Sequence, residues 1–179
     1  MFATFLLGLS CHNAVASQPI CSAIVGLPRD QLAGCTCGPL VAKLPVAAPS
    51  GMKLVAACGE IEENGSWYGG FYFTGRHVQS GTVTREENEW FGDSLQFDAE
   101  AQLPYQAFSS EGQHLKFLDD PGANKRFRAP RPTRKIACWS AKAKIEIQVL
   151  QVLSGGTDES GSYARKYRVL SLGPYRPCT

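Results

Sequence analysis

Residues 136–153, IACWSAKAKIEIQVLQVL, and 163–175, YARKYRVLSLGPY, are two strand-like runs joined by the turn-forming SGGTDESGS. In the first run Ala141, Ala143, Ile145, Ile147 and Val149 alternate with mostly polar neighbours, the period of a strand with one buried face. In an antiparallel pair the two partner numbers sum to a constant. With the connecting loop centred near Asp158 that constant is about 316, which is also the sum for Cys138 and Cys178. The register thus sets these cysteines opposite each other at the open end of a hairpin. A Cys138–Cys178 disulfide is expected, and a Cα separation beyond about 7 Å would exclude it.

Five more cysteines precede this hairpin: Cys11, Cys21, Cys35, Cys37 and Cys58. The chain opens with the apolar run MFATFLLGL, followed by Ala14-Val15-Ala16, small residues suited to a cleavage site before Ser17. Residues 1–16 therefore read as a secretory signal peptide without a basic n-region. Cleavage there removes Cys11 and leaves six cysteines, enough for three disulfides in a secreted or periplasmic protein. The alternative is GLSC as a lipobox, with Cys11 as a lipid anchor and the protein as a lipoprotein of the cell envelope. No segment approaches the roughly 20 apolar residues of a transmembrane helix. Cys35 and Cys37 are too close to bridge each other, so each is expected to bond one of Cys21 and Cys58, in an order left open. A thiolate zinc site is the competing use, but no C-x-x-C knuckle is present.

Residues 17–50 are rich in Pro, Gly, Ala and Cys without periodicity and read as an irregular arm; residues 51–179 read as a single β-domain. MKLVAACGEI is an apolar strand, and Asn64-Gly65 signals a tight hairpin turn. Asn64-Gly65-Ser66 is also a glycosylation sequon. WYGGFYFTG and HVQSGTVTRE carry aromatic and β-branched residues, with Gly81 marking a bulge, and Leu95, Phe97 and Ala99 share one face of SLQFDAE. Trp67, Tyr68, Phe71, Tyr72, Phe73 and Trp90 form an aromatic cluster read mainly as core, with a sugar-stacking face as the lesser use. The expected fold is mainly β: a small antiparallel barrel or sandwich of OB-like type, stapled by disulfides. The Cys35-Thr36-Cys37 pair is similar to the C-x-C near the start of secreted netrin-like domains, which are OB barrels. That resemblance covers three residues and implies the fold alone.

The net charge of +2 conceals a polarity. From Glu60 to Asp120 there are 12 acids and three bases; from Pro121 onward there are 12 bases and three acids. The simplest use of this polarity is pairing between the halves; the sharper one is a basic face for an acidic partner. The basic charge is densest in a loop, 121–135, where Lys125, Arg126, Arg128, Arg131, Arg134 and Lys135 are the candidate binding residues. One aromatic, Phe127, interrupts them, a pattern that does not support nucleic-acid binding.

Gly92-Asp93-Ser94-Leu95 is similar to the block that names the GDSL lipases and esterases, and the resemblance implies Ser94 as nucleophile. Members of that family supply base and orienting acid from a D-x-x-H block near the C-terminus of an α/β fold. Here the mature chain has only His77 and His114, with Thr74 and Glu111 three residues before them, and the α/β alternation is missing. Gly92-Asp93 instead reads as a turn between two strands. His77 and His114 lack metal-ligand spacing, and adjacent acids such as Asp119-Asp120 cannot converge on one bond. No catalytic residue, metal ligand or cofactor is therefore assigned. The expected function is that of an exported, non-catalytic binding domain for a protein or envelope polysaccharide. A secreted hydrolase using Ser94 is the disfavoured alternative, and a protein inhibitor or immunity-type factor acting through the basic loop is another.

Overall fold

The computed structural model describes residues 21–38, 41, 46–61, 67–88, 92–101, 114–117, 122–154 and 161–178. Residues 1–16, the sequon at Asn64 and Trp90 lie outside them. Eight strands form one mixed sheet: β1 (Cys35–Cys37), β2 (Met52–Ile61), β3 (Trp67–Asn88), β4 (Gly92–Ala99), β5 (His114–Lys116), β6 (Cys138–Ser154), β7 (Gly161–Leu172) and β8 (Arg176–Pro177). Their order is β1-β2-β3-β4-β5-β7-β6-β8, and an additional β3–β6 pairing curls the sheet into a partial ring. A single sheet replaces the sandwich alternative. It is also not purely antiparallel, because β5 runs parallel to β7 at Leu115–Ser162 and Lys116–Tyr163.

The two segments WYGGFYFTG and HVQSGTVTRE join into one 22-residue strand, β3. It pairs with β2, β4 and β6 along its length. The strand is kept continuous by its aromatic and β-branched residues, but its register against β6 shifts between Thr74 and His77, not at Gly81. Gly81 answers a different need: a Cβ there would run into the Asp98 carbonyl and lie 2.6 Å from the Phe97 ring. Glycine inside a strand marks close approach as often as a bulge, and here it is close approach.

β-Bulges also decide which side chains reach the core. Ala141, Ala143, Ile145 and Ile147 line the main core, as strict alternation requires, but the register shift between Ile147 and Val149 turns the strand over. Val149 therefore faces a second cluster, while Leu150 and Val152 continue the main core. An inserted residue reverses the facing of everything after it, which a period-2 pattern cannot anticipate.

The second cluster explains the arm. Cys21, Val25, Leu32 and Cys35 pack on Val55, Ala56, Tyr72 and Val149. Residues 21–25 are helical, residues 30–32 form a 3-10 turn, and β1 pairs with β2. The arm is thus not irregular throughout; it covers the back of β2 and β3. Phe71 and Phe73 face the main core and Tyr72 the arm, so all three are buried and none is a stacking platform. The buried Tyr72 hydroxyl donates to Gln31 O at 3.1 Å, and burial raises its pKa.

Three disulfides are present: Cys21–Cys37, Cys35–Cys58 and Cys138–Cys178. Cys35 and Cys58 are register partners of β1 and β2, with Cα atoms 4.0 Å apart. The Cys138 and Cys178 Cα atoms are 5.4 Å apart. Near its loop the β6–β7 hairpin runs on a sum of 314, as in Val152–Ser162, and three register shifts follow. Trp139–Pro177 and Ser140–Arg176 then run on 316, and Cys178 N donates to Cys138 O at 3.1 Å. Multiple disulfides point to an oxidising, extracytoplasmic setting. Among the described residues, no helix is long and apolar enough to cross a membrane.

Candidate functional site

The basic segment is a built structure, not the open loop that its prolines suggest. Ala123–Arg126 is a short helix, and Ala123, Phe127 and Ala129 are buried beneath it. Phe127 anchors it, with ring centroids 5.0 Å from Phe117 and 5.9 Å from Tyr167. The helix ends with Ala129 N donating to Asn124 O at 3.0 Å and Arg128 N to Lys125 O at 3.1 Å. These two bonds are the Schellman pattern, which calls for a left-handed residue at the position Arg128 occupies. Arg128 has φ 50°, and among the described residues every other positive φ belongs to glycine. An arginine in this conformation costs on the order of 1 kcal/mol relative to glycine.

Two further contacts fix the segment to the sheet. Tyr175 Oη donates to Phe127 O at 3.0 Å. Burial pushes the Tyr175 pKa up to about 12, so the phenol stays a donor throughout the physiological range. Arg85, nearly buried, donates through Nη1 to Ala129 O at 2.5 Å. Its Nε donates to Asp93 Oδ1 at 2.7 Å and its Nη2 to Asp93 Oδ2. That pairing lowers the Asp93 pKa and raises that of Arg85, with burial opposing both shifts.

Between this segment and the end of β7 lies a groove of ≈ 570 Å³. Arg126 and Arg128 stand on one wall; Val169, Leu170, Leu172 and Tyr175 contribute to the other. Arg126 lies over the Tyr167 ring, 5.8 Å from its centroid, a cation–π contact that holds the guanidinium at the lip. Beyond Gly173 and Pro174 a second hollow of ≈ 320 Å³ carries Lys142 and Arg176. The arrangement offers cations above apolar surface, with no carboxylate among the described residues that line either hollow.

The six candidate binding residues do not gather at one point. Lys125, Arg126, Arg128, Arg131, Arg134 and Lys135 are all exposed. Only Arg126 and Arg128 line the groove. Arg131 instead acts on Asp93, whose pKa it helps to lower. Arg134 and Lys135 sit at the tip of a turn closed by Thr133 and Ile136, with Thr133 N donating to Ile136 O at 2.8 Å. Lys142–Glu100 joins the basic and the acidic half at 2.9 Å. Among the described residues, Lys125, Arg128, Arg131, Arg134 and Lys135 form no ion pair.

Leu170 belongs to the groove but was not among the candidates. It is the extra residue of a β7 bulge, since Ile145 pairs with Val169 and Lys144 with Ser171, and it is 42 % exposed. The adjacent pair Val169-Leu170 carried the signal, because two neighbouring apolar residues in a strand cannot share one face.

Elsewhere on β6, Glu146 has a side chain only 2 % exposed although it points away from the core. Arg76 covers it with Nε 2.8 Å and Nη2 2.6 Å from Oε2, and Arg168 approaches with Nε 2.9 Å from Oε1. These donors, Arg76 foremost and then Gln148 at 3.2 Å, hold its pKa down at about 2.

Ser94 is in strand β4 opposite Glu86, not in a turn. The His114 imidazole binds Asp98, and His77 lies 3.0 Å from Ser50 O and 3.1 Å from Gln79 Oε1. Among the described residues, neither histidine is bonded to Ser94, and no three His, Cys, Asp or Glu side chains converge. The chain matches no family model, no curated protein and no solved structure.

Proposed function

We propose that this chain is an exported, disulfide-stapled binding domain of OB-like type, secreted or periplasmic, that holds an acidic partner in the groove between Arg126/Arg128 and the end of β7. Support for the OB-like reading is the pairing path β3-β4-β5-β7-β6 and back to β3, with a short helix between β5 and β6. The observation that carries the functional reading is Arg128. A non-glycine residue is kept at a left-handed position, and its charged side chain is set at the lip of the groove. Backbone strain of this kind marks sites where a side chain is wanted for more than folding.

The test uses the oxidised protein on a surface, titrated with polyglutamate and with polygalacturonate at 50 and 300 mM salt. Binding at low salt that weakens steeply at high salt is expected, since exposed charges are screened beyond roughly 10 Å at 0.1 M. The Lys125/Arg126/Arg128→Ala variant should bind at least ~10-fold more weakly. Equal binding by that variant, or no binding of either polymer, would overturn the reading.

A further inference from the structure

The hollow beyond Gly173 and Pro174 carries a site of its own: we infer that it takes the ester oxyanion of a phosphorylated or sulfated sugar, apart from the groove beside Arg128. Ala141 and Ala143 on β6 line the main core, so Ser140 and Lys142, which alternate with them, point to the outer face. Thr82 is paired directly with Lys142, and Arg176 directly with Ser140. Side chains of directly opposed residues share a face, with Cβ atoms about 5 Å apart, and residues two apart on one strand are spaced by about 7 Å. Strands β3, β6 and β8 thereby gather two hydroxyls, an ammonium and a guanidinium on one face, and all four residues line the hollow.

The frame around these groups is fixed. Gly173 N donates to Lys142 O at 2.8 Å, and a Cβ at Gly173 would lie only 3.3 Å from that oxygen, so the turn hugs β6. The Cys138–Cys178 bridge and the bond from Cys178 N to Cys138 O pin Arg176 from the other end. Donors already held in place lose less freedom on binding. A tetrahedral ester presents three terminal oxygens to donors arriving from three strands, where a carboxylate presents two. Two carboxylates stand close by. Glu100 pairs with Lys142 at 2.9 Å, but both side chains are more than half exposed, so that pair yields readily to a ligand. Asp98, opposite Thr82 on β4, is held by His114, and neither acid lines the hollow. At ≈ 320 Å³ the hollow is larger than a bare oxyanion needs and sits at the small end of small-molecule sites. β6 is paired on both sides here, with β3 and β8, so a ligand meets side chains and not ladder backbone. That favours a sugar, whose own hydroxyls bond those of Thr82 and Ser140, over a peptide whose amides need main-chain partners.

Glucose-6-phosphate and glucose-6-sulfate are titrated into the oxidised protein at low salt, read by amide NMR shifts. Saturable shifts at Thr82, Ser140, Lys142 and Arg176 are expected, and the tighter of the two sugars names the ester. Thr82→Val/Ser140→Ala removes both hydroxyls without changing the charge and should bind at least ~10-fold more weakly, its own amide spectrum reporting the fold. Arg176→Ala should weaken binding to a similar degree, whereas Lys125/Arg126/Arg128→Ala should bind these sugars as the wild type does. No saturable shift, or equal binding by the folded hydroxyl variant, would overturn the site. Loss of binding in Lys125/Arg126/Arg128→Ala would move the anion to the groove and overturn it as well. Tighter binding of a phosphoserine peptide than of glucose-6-phosphate would overturn the choice of a sugar. Polyglutamate reports on the groove alone, so either reading can fail without the other.

Discussion

Arg85 on β3 and Asp93 on β4 are joined by two parallel hydrogen bonds across the strand pair, and the remaining guanidinium nitrogen reaches Ala129 O. One side chain thereby ties the start of β4 to the base of the basic segment. Asp93 is still 38 % exposed, so this is a half-solvated pair whose value is mainly positional. Arg85→Met should cost about 1–3 kcal/mol in urea unfolding, because Ala129 O loses a charged donor. The variant should also bind acidic polymers more weakly, although Arg85 does not line the groove. Undiminished affinity would mean that Phe127 and Tyr175 alone position the segment.

Acid should weaken the fold through Glu146. Its folded pKa of about 2 lies below the ordinary 4.5, so its contribution is complete above pH 4.5 and fades as pH falls toward 2. Glu146→Gln removes that titration. Its unfolding midpoint should therefore vary less than the wild type's between pH 4.5 and 2, as measured by urea titrations at each pH.

The Cys138–Cys178 bridge closes a loop with a sequence separation of 40 residues. Chain-entropy estimates put such a bridge at about 4 kcal/mol. Cys138→Ser/Cys178→Ser should show a loss of that order in denaturant unfolding while keeping its β circular dichroism, since the β6–β7 ladder extends well beyond the bridge.

Gly81→Ala sets a methyl group against the Asp98 carbonyl and the Phe97 ring, both fixed in the β3–β4 pairing. A loss of about 1–3 kcal/mol is expected, as for overpacked cores, with the thermal midpoint as readout.

How far the fold was legible depended on whether the backbone kept a constant period. The Cys138–Cys178 partnership could be read because bulges on both strands of the hairpin nearly cancel, leaving a drift of only two in the register sum. Val149 was misplaced because one of those bulges falls beside it. The parallel β5–β7 contact was hidden because three residues, His114–Lys116, carry no readable pattern. In the basic segment the charges were plain, but the buried Phe127 beneath them was read only as an isolated aromatic. Leu170 escaped because its role depends on where the bulge falls. Ser94 looked like turn chemistry, yet strand pairing with β3 outweighed the local preference of Gly92-Asp93.

The most direct measurement sets the unfolding midpoint of Arg128→Gly beside its affinity for polyglutamate at low salt. Glycine relieves the left-handed conformation and keeps the Schellman end, so the midpoint should stay level or rise, by an amount equivalent to no more than ~1 kcal/mol of unfolding free energy. Affinity should fall several-fold, showing a side chain retained for binding and not for stability. Unchanged affinity in a protein of equal or greater stability would contradict the basic groove as the binding site.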